Sequence, residues 1–303
     1  MTIYTVNFQI GDFVFFTKKI PIASVVKCNV FESEPLMTLP EANEALPQFY
    51  PNLNVDSDIV DNKVTLKKGK LYYIRSLYNN YFIKLSDYNN FDEYLLKFSS
   101  KSRSTLKRKV RKAEEAGFTH KLYSKVEEVA EFHSFACCVG KYTYQNSLFD
   151  SSIPSNEGYR NEMLELARKG LFLGGILFKD EKPCAYLYTP VNEEQYLYTY
   201  LGYLPDFSAF SPGTVLQFKV FQHIFDEKPK AKFFNFTEGN GQHKVFFSTD
   251  KKICCNCLIL EGSVYNYSLL KMQIIFDLFS AFLGKMLDKF NLRTKIKKLI
   301  RKQ

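Results

Sequence analysis

The sequence predicts an α/β chain of the α+β kind, with a mixed central sheet, flanking helices and a smaller strand-rich N-terminal half. Two observations support this prediction. The chain has 303 residues, 46% of them hydrophobic, which is enough to bury a sizeable core. From residue 118 onward, the spacing of apolar residues predicts the order strand, two helices, three meandering strands, helix, strand, turn and strand.

Residues 1–90 are expected to form the strand-rich subdomain. Residues 2–8 and 12–17 are apolar stretches on either side of Gly11-Asp12, so they predict a hairpin. Residues 33–62 contain four of the eleven prolines and many polar residues, which predicts an irregular excursion.

Two more strands are predicted before the first long helix. They cover Lys70 to Arg75 and Tyr81 to Leu85, with Asn79-Asn80 as the turn between them. Strands followed by a helix also make this half a candidate for a reduced copy of the later unit.

Residues 91–117 are expected to form one basic connecting helix, which runs from Phe91 to Ala116 and is closed by Gly117. Its second half carries seven basic residues and no acid between Lys101 and Lys112. They are Lys101, Arg103, Lys107, Arg108, Lys109, Arg111 and Lys112. Such a stretch is either a solvated helix face or a surface that binds phosphate groups.

Residues 118–262 are expected to form the catalytic domain. The predicted elements are a strand at 118–123, helices at 126–142 and 157–168, strands at 171–178, 185–191 and 195–200, a helix at 214–225, and strands at 232–236 and 252–260. Ser211-Pro212-Gly213 opens the helix at 214–225, because proline fits the first helical turn.

Charge and cysteine content indicate the partner and the compartment. The formal net charge is +9, which favours an anionic partner. The seven cysteines are an odd number and no signal peptide is recognised, so we expect a reducing, cytoplasmic location. Cys254, Cys255 and Cys257 lie on a predicted strand without a second ligand pair nearby, so no metal site is expected.

Residues 263–303 are expected to form an amphipathic, basic helical tail. Apolar residues recur at helical spacing from Leu269 to Phe290, and a basic segment follows from Arg293 to Lys302. This pattern suits either a helix that docks on the catalytic domain or a helix that lies on an anionic membrane surface.

Three blocks between residues 90 and 250 resemble a known family. The first is the basic segment at 96–109, the second runs from Tyr200 through Ser211-Pro212-Gly213 to Leu216, and the third is the segment at 234–244. They are similar to the GNAT-type acetyltransferases linked to bacterial cellulose and exopolysaccharide synthesis, which are relatives of the FemAB-type aminoacyltransferases. The resemblance implies a GNAT fold and an acyl-CoA-dependent N-acyltransferase, with acetyl-CoA or another acyl-CoA as co-substrate. Its acceptor would be a small or lipid-linked amine, such as an amino sugar.

Candidate site residues follow from these blocks. Ser211, Pro212, Gly213 and Thr214 start a helix, whose unpaired N–H groups can bind a pyrophosphate. The proposed catalytic residues are Glu238 or His243 as the base and Tyr200 as the acid for the leaving thiolate. Tyr198 and Tyr203 end the same meander and are expected to face the same site. The proposed substrate-binding residues are Arg103, Arg108, Asn240 and Lys244.

Several alternatives stay open at this point. A polar turn is expected from Glu238 to Gly241, and both Glu238 and His243 are equally compatible with solvated surface residues. Asn235 and Asn240 replace acids of the family pattern, and His243 replaces its tyrosine, which favours a non-catalytic assembly protein. Transfer of an amino acid from charged tRNA is a further alternative, in which the basic helix would bind RNA phosphates. Nucleic acid is expected as a partner only in that alternative.

Overall fold

A computed structural model describes residues 2–11, 13–26, 30–31, 35–41, 47–56, 58–59, 62–143, 152–192, 194–227, 230–239 and 241–289. The chain divides into two compact units. One unit comprises Met1–Asn79 and Lys252–Gln303, and the other comprises Asn80–Lys251.

The described strands and helices follow the predicted alternation. The strands are β1 Ile3–Ile10, β2 Phe13–Pro21, β3 Ser24–Val25, β4 Gln48–Asn54, β5 Lys63–Lys67, β6 Lys70–Lys84, β7 Phe118–Tyr123, β8 Gly174–Lys179, β9 Lys182–Tyr188, β10 Val191–Asn192, β11 Gln195–Leu197, β12 Tyr200–Tyr203, β13 Phe233–Glu238 and β14 Asp250–Glu261. The α-helices are α1 Phe91–Leu95, α2 Ser100–Glu115, α3 Val129–Lys141, α4 Glu157–Arg168, α5 Pro212–Asp226, α6 Gln242–Phe247 and α7 Val264–Lys289. None of these described helices is both long and apolar enough to cross a bilayer.

The first unit is a set of strands with one long helix. β1 and β2 pair antiparallel around Gly11, which confirms the predicted hairpin. β4 pairs antiparallel with β14 and parallel with β3. Helix α7 packs on this unit and contributes Leu269, Leu270 and Ile274 to a core that includes Val6 and Phe8.

The second unit contains an antiparallel sheet between two helical layers. Its strand order is β12-β9-β8-β7. Side chains alternate between the two faces of β8 and β9. Leu177 and Leu187 belong to the core that α5 and α2 cover, whereas Ile176 and Tyr186 belong to the core formed with α3 and α4. A second group of strands in this unit places β11 beside β13.

Two predicted boundaries are wrong. The helix expected over Phe91 to Ala116 is two helices, because the side chain of Ser99 accepts a hydrogen bond from the amide of Ser102 and starts α2 anew. The turn expected at Asn79-Asn80 is absent from the structure, since β6 continues through both residues. Asn80 is buried and lies opposite Glu238 of β13.

The meander also differs from the expectation. The strand expected at 195–200 is two short strands, β11 and β12, that join different sheets. Helix α6, which begins directly after the polar turn predicted at 238–241, has no counterpart in the sequence prediction. Both differences shape the candidate site.

Candidate active site

The chain changes sheets between two adjacent residues. The amide of Tyr198 donates to the carbonyl oxygen of Asn235 at 2.8 Å, whereas the amide of Thr199 donates to that of Tyr188 at 3.1 Å. β11 therefore pairs parallel with β13 as far as Leu197 and Asn235, whereas β12 pairs antiparallel with β9. β12 and β13 thus belong to different sheets, and we call the place where they diverge the cleft.

The edge of β12 that faces away from β9 carries backbone groups that do not bond with β9. The amide of Leu204 donates to Cys184 at 2.9 Å, and Tyr200 and Gly202 are register partners of Tyr188 and Tyr186. Because hydrogen-bonded positions alternate along an antiparallel strand, the N–H and C=O groups of Leu201 and Tyr203 point away from β9. They can accept an extended, amide-containing ligand as a further strand.

A 3-10 turn at Pro205–Phe210 connects β12 to the start of helix α5. Ser211 has a left-handed backbone with φ 53° and supplies no side-chain cap, so the first amides of α5 have no side-chain partner there. Ser211 and Thr214 are half-buried, whereas Pro212 and Gly213 are buried. A Cβ on Gly213 would lie 3.2 Å from Cδ2 of Leu201, so this glycine allows α5 to pack closely on β12.

A lysine from α2 lies beside this helix start. The ammonium of Lys112 is 5.0 Å from the centre of the Phe210 ring, and Phe210 immediately precedes Ser211. The sequence prediction placed Lys112 in the basic stretch but did not include it among the site residues. Its proximity to Phe210 depends on how α2 packs, which local sequence does not reveal.

The two arginines of the basic helix have different environments. Arg103 donates from Nη1 to the carbonyl oxygen of Phe98 at 3.0 Å and so stabilises the link between α1 and α2. Arg108 is exposed. Two other basic residues of α2 are in ion pairs, since Lys107 lies 3.7 Å from Asp92 and Arg111 lies 3.4 Å from Glu115.

A tyrosine and a histidine meet at the other wall of the cleft. The hydroxyl of Tyr198 lies 3.1 Å from Nε2 of His243, which is on α6. Burial raises the pKa of Tyr198 well above its usual value. Burial, followed by the charge of Lys244, lowers the pKa of His243 below 6.5. At neutral pH this pair is therefore a protonated phenol beside a neutral imidazole.

Lys244 and Glu238 border the same pair. The ammonium of Lys244 donates to the backbone carbonyl oxygen of Glu238 at 2.6 Å and lies 5.7 Å from the centre of the Tyr198 ring. Burial lowers the pKa of Lys244. The side chain of Glu238 is exposed at the end of β13. Asn240, the remaining predicted substrate-binding residue, lies outside the described residues.

The short helix that carries His243 is fixed at its C-terminal end. The hydroxyl of Tyr94 donates to the carbonyl oxygen of Phe247 at 2.6 Å, and Nζ of Lys97 donates to the same oxygen at 2.9 Å. Burial lowers the pKa of Lys97 to about 8. These bonds connect α1 and the residues after it to α6, and so position His243.

The side chain of Asn235 makes two hydrogen bonds at the point where β11 and β13 separate. Its Nδ2 donates to Oε1 of Gln195 at 2.7 Å, and its Oδ1 accepts from the amide of Thr237 at 2.7 Å. Thr237 has a left-handed backbone with φ 60°, within the register shift of β13. The buried amide of Asn235 thus stabilises the bend that carries the chain towards His243.

Tyr200, the predicted acid, has another partner. Its hydroxyl hydrogen-bonds with Tyr159 of α4, and the two rings meet edge to face with centres 6.1 Å apart. Tyr200 therefore packs with the α3 and α4 layer, and Tyr198 is the tyrosine that the fold brings to His243.

The clustered cysteines lie in the other unit. Cys254, Cys255 and Cys257 are fully buried on β14. Burial raises the pKa of Cys254 and of Cys255 to about 12. Among the described residues, no three His, Cys, Asp or Glu side chains converge as metal ligands would.

Comparison with known proteins agrees with this geometry. Residues 100–245 match the family described as "Acetyltransferase (GNAT) domain". No curated protein matches the chain by sequence. The matched segment starts at α2 and ends in α6, so it spans the cleft and both of its walls.

Three solved structures are similar to parts of this chain. The C-terminal domain of a putative lysylphosphatidylglycerol synthetase from Agrobacterium fabrum is 12% identical, with a TM-score of 0.50 over 75% of this chain and 71% of that chain. L-PGS from Bacillus licheniformis is 12% identical, with a TM-score of 0.47 over 76% and 73%. FemX is 12% identical, with a TM-score of 0.47 over 75% and 75%. The predicted α/β fold is confirmed, and the segment expected to have the GNAT fold overlaps the residues that match the GNAT-domain model.

Proposed function

We propose that the chain is an N-acyltransferase that transfers an acyl group from an acyl-CoA thioester to an amine. The observation that carries the proposal is the separation of β12 from β13 beside the start of α5. An extended thioester cofactor needs both a free strand edge for its amide groups and an anion site for its phosphates. The groups around this cleft fit both needs.

Two sets of groups at the cleft would bind two different parts of the CoA donor. The backbone groups of Leu201 and Tyr203 suit the amide-containing arm of CoA. The first turn of α5, with its positive end and free amides, suits the pyrophosphate. Lys112, beside Phe210, adds a positive charge near that helix start.

The Tyr198–His243 pair would carry the two proton transfers that the proposed reaction needs. A C–N bond forms between the amine and the acyl carbon, and the C–S bond of the thioester breaks. The amine must lose a proton, and the leaving thiolate must gain one. We assign the thiolate proton to the hydroxyl of Tyr198, which His243 reprotonates from Nε2 while Nδ1 takes the proton from the amine.

The acceptor is the finer part of the proposal. The resemblance of the three sequence blocks to polysaccharide-linked acetyltransferases supports an amino sugar, free or attached to a lipid carrier. Acetyl-CoA is the simplest donor. Lys244 and the exposed carboxylate of Glu238 border the cleft and would contact the acceptor.

Calorimetry and a coupled thiol assay test the proposal with the whole chain. We expect CoA and acetyl-CoA to bind and to raise the midpoint of thermal unfolding, because a ligand that binds only the folded state stabilises it. Thiol release from acetyl-CoA should then depend on an added amine, screened from amino sugars, polyamines and amino acids. Absence of binding by either CoA species at millimolar concentration would contradict the proposal.

A second candidate function is aminoacyl transfer from charged tRNA. It is favoured by the basic helix α2, on which Lys101 and Arg108 are exposed and have no ion-pair partner among the described residues. Affinity for tRNA should then fall steeply with salt, since bound phosphates release counterions. Transfer of a labelled amino acid from tRNA to an amine, without CoA, would favour this second function over the first.

A further inference from the structure

One face of helix α7 exposes a continuous line of large apolar side chains. Its members are Ile275, Leu278, Phe279, Phe282 and Met286, which are between 41% and 63% exposed. Residues three, four and seven positions apart lie on one side of a helix. The line therefore occupies a single stripe rather than being scattered over the helix.

The opposite face of α7 is already packed. Leu270 and Ile274 are buried against the first unit. Asp277 accepts two hydrogen bonds from the guanidinium of Arg75, each of 3.0 Å. Ser280 accepts one from the amide of Gly11 at 2.8 Å. These bonds fix the rotation of the helix, so that the apolar stripe faces outward.

The tip of the β1–β2 hairpin extends this apolar surface. Phe13 is 62% exposed and Phe15 is 54% exposed. Their ring centres are 4.9 Å apart, and the Phe15 ring lies 5.8 Å from that of Phe276 on α7. Phe276 is next to Ile275 and one turn from Phe279, so the hairpin tip adjoins the stripe. We call this surface the α7–hairpin patch: Phe13, Phe15, Ile275, Leu278, Phe279, Phe282 and Met286.

The sequence of α7 and of the residues that follow it is strongly basic, although residues 290–303 lie outside the described residues. From Val264 to Gln303 the sequence has nine basic and two acidic residues, a net charge of +7 out of +9 for the whole chain. One of the acids, Asp277, is paired with Arg75 on the packed face. Lys285 and Lys289 are exposed on the last turns of α7, and six more basic residues follow between Arg293 and Lys302.

We propose that the α7–hairpin patch docks the first unit on an anionic lipid bilayer. The apolar stripe would enter the boundary between headgroups and acyl chains, with α7 lying along the surface, because its other face is held by Arg75 and Gly11. The lysines near its end would contact lipid phosphates. Exposed apolar surface of this extent in a soluble domain marks an interaction site, and its basic surroundings favour lipid over an uncharged partner.

The chain contains no tryptophan, so one introduced tryptophan reports on its own surroundings. The probe is Phe282→Trp in the full chain, mixed with vesicles of phosphatidylcholine alone or with phosphatidylglycerol. We expect its fluorescence to shift to shorter wavelength only with anionic vesicles, and less at high salt. The matched control is Leu96→Trp, at a 65% exposed residue of the other unit, whose emission should not change.

Sedimentation with the same vesicles tests the patch by charge substitution. Phe282→Glu and Phe13→Glu should each lower the bound fraction, with a fall in the partition constant of roughly tenfold or more, because each puts a carboxylate in place of an exposed phenyl ring that would enter the bilayer. Leu96→Glu should bind like the unchanged chain. Circular dichroism of each variant should match that of the unchanged chain, which shows that binding rather than folding was altered.

Three results would overturn the proposal. The intact chain could fail to bind anionic vesicles at low salt. Phe282→Glu and Phe13→Glu could bind as tightly as the unchanged chain, which would assign binding to the basic tail alone. Ultracentrifugation could show a dimer that Phe282→Glu separates while vesicle binding is unaffected, which would assign the patch to a second copy of the chain.

Discussion

The hydroxyl of Tyr198 lies 3.1 Å from Nε2 of His243, although 45 positions separate the two residues in the sequence. Tyr198 is the last residue that pairs with β13, and His243 is on the helix that follows β13. The pair therefore exists because the chain changes sheets after Tyr198 and β13 bends at Thr237. Acid and base chemistry in the proposed reaction depends on that geometry.

Tyr198→Phe tests the assigned acid. We expect kcat for acetyl transfer to fall by roughly 100-fold, the usual scale for loss of a positioned proton donor, while KM for acetyl-CoA changes little. Tyr200→Phe is the matched control, because its hydroxyl bonds with Tyr159 instead. Steady-state kinetics with both variants decides between them. A larger fall in kcat in Tyr200→Phe than in Tyr198→Phe would indicate that Tyr200 is the acid.

The pH dependence of kcat/KM tests His243 and its neighbour. Burial and Lys244 lower the pKa of His243, so the neutral imidazole persists below pH 6.5 and the acid limb of the profile should lie below that value. Lys244→Met removes a cation that disfavours imidazolium. The pKa should then rise, and the acid limb should move to higher pH.

Lys244→Arg is the control for that experiment, since it keeps the positive charge. Its acid limb should stay where that of the unchanged chain lies. An acid limb that does not move in Lys244→Met, or that is still present in His243→Gln, would assign the limb to another group.

Local patterns predicted most of the elements but not the site contacts. The alternation of apolar residues indicated a strand over 195–200, because both of its halves are extended. Whether each half pairs with Tyr188 or with Asn235 is decided by distant residues, and so the sheet change was missed. For the same reason Tyr200 was selected over Tyr198. Helix α6 is only six residues long and has no side-chain cap, so local sequence carries little signal for it.

Asn235→Ala tests the bend at the cleft. The variant removes a bond to Gln195 and one to Thr237 from a buried position, so the free energy of unfolding should fall by about 1–3 kcal/mol. Asn235→Asp should lose less, because it keeps the acceptor for Thr237 and the amide of Gln195 can rotate to donate. Denaturant unfolding measures both. Equal stability of Asn235→Ala and the unchanged chain would show that these bonds do not stabilise the bend.

Gly213→Val tests the contact between α5 and β12. A Cβ there would lie 3.2 Å from Leu201 and 3.5 Å from Tyr203, so the larger side chain should push the start of α5 away from the cleft. We expect CoA affinity to fall at least tenfold, with a lower unfolding midpoint as well. Gly213→Ala should lower both the CoA affinity and the unfolding midpoint, but by less. Unchanged affinity for CoA in Gly213→Val would remove the helix start from the donor site.

Lys112→Ala tests the phosphate end of the donor site. Its ammonium is 5.0 Å from the ring of Phe210, which lies two residues before the first residue of α5, so it can reach a phosphate held there. An exposed charge contributes modestly and is screened by salt, so we expect affinity for CoA to fall several-fold at low salt and less at high salt. Lys101→Ala, at the far end of the same helix, is the matched control. Calorimetry should show an effect only at Lys112, because Lys101 lies three turns of α2 away from it. Equal losses in the two variants would mean that α2 acts through its overall charge, as expected for a surface that binds RNA rather than for a specific phosphate contact.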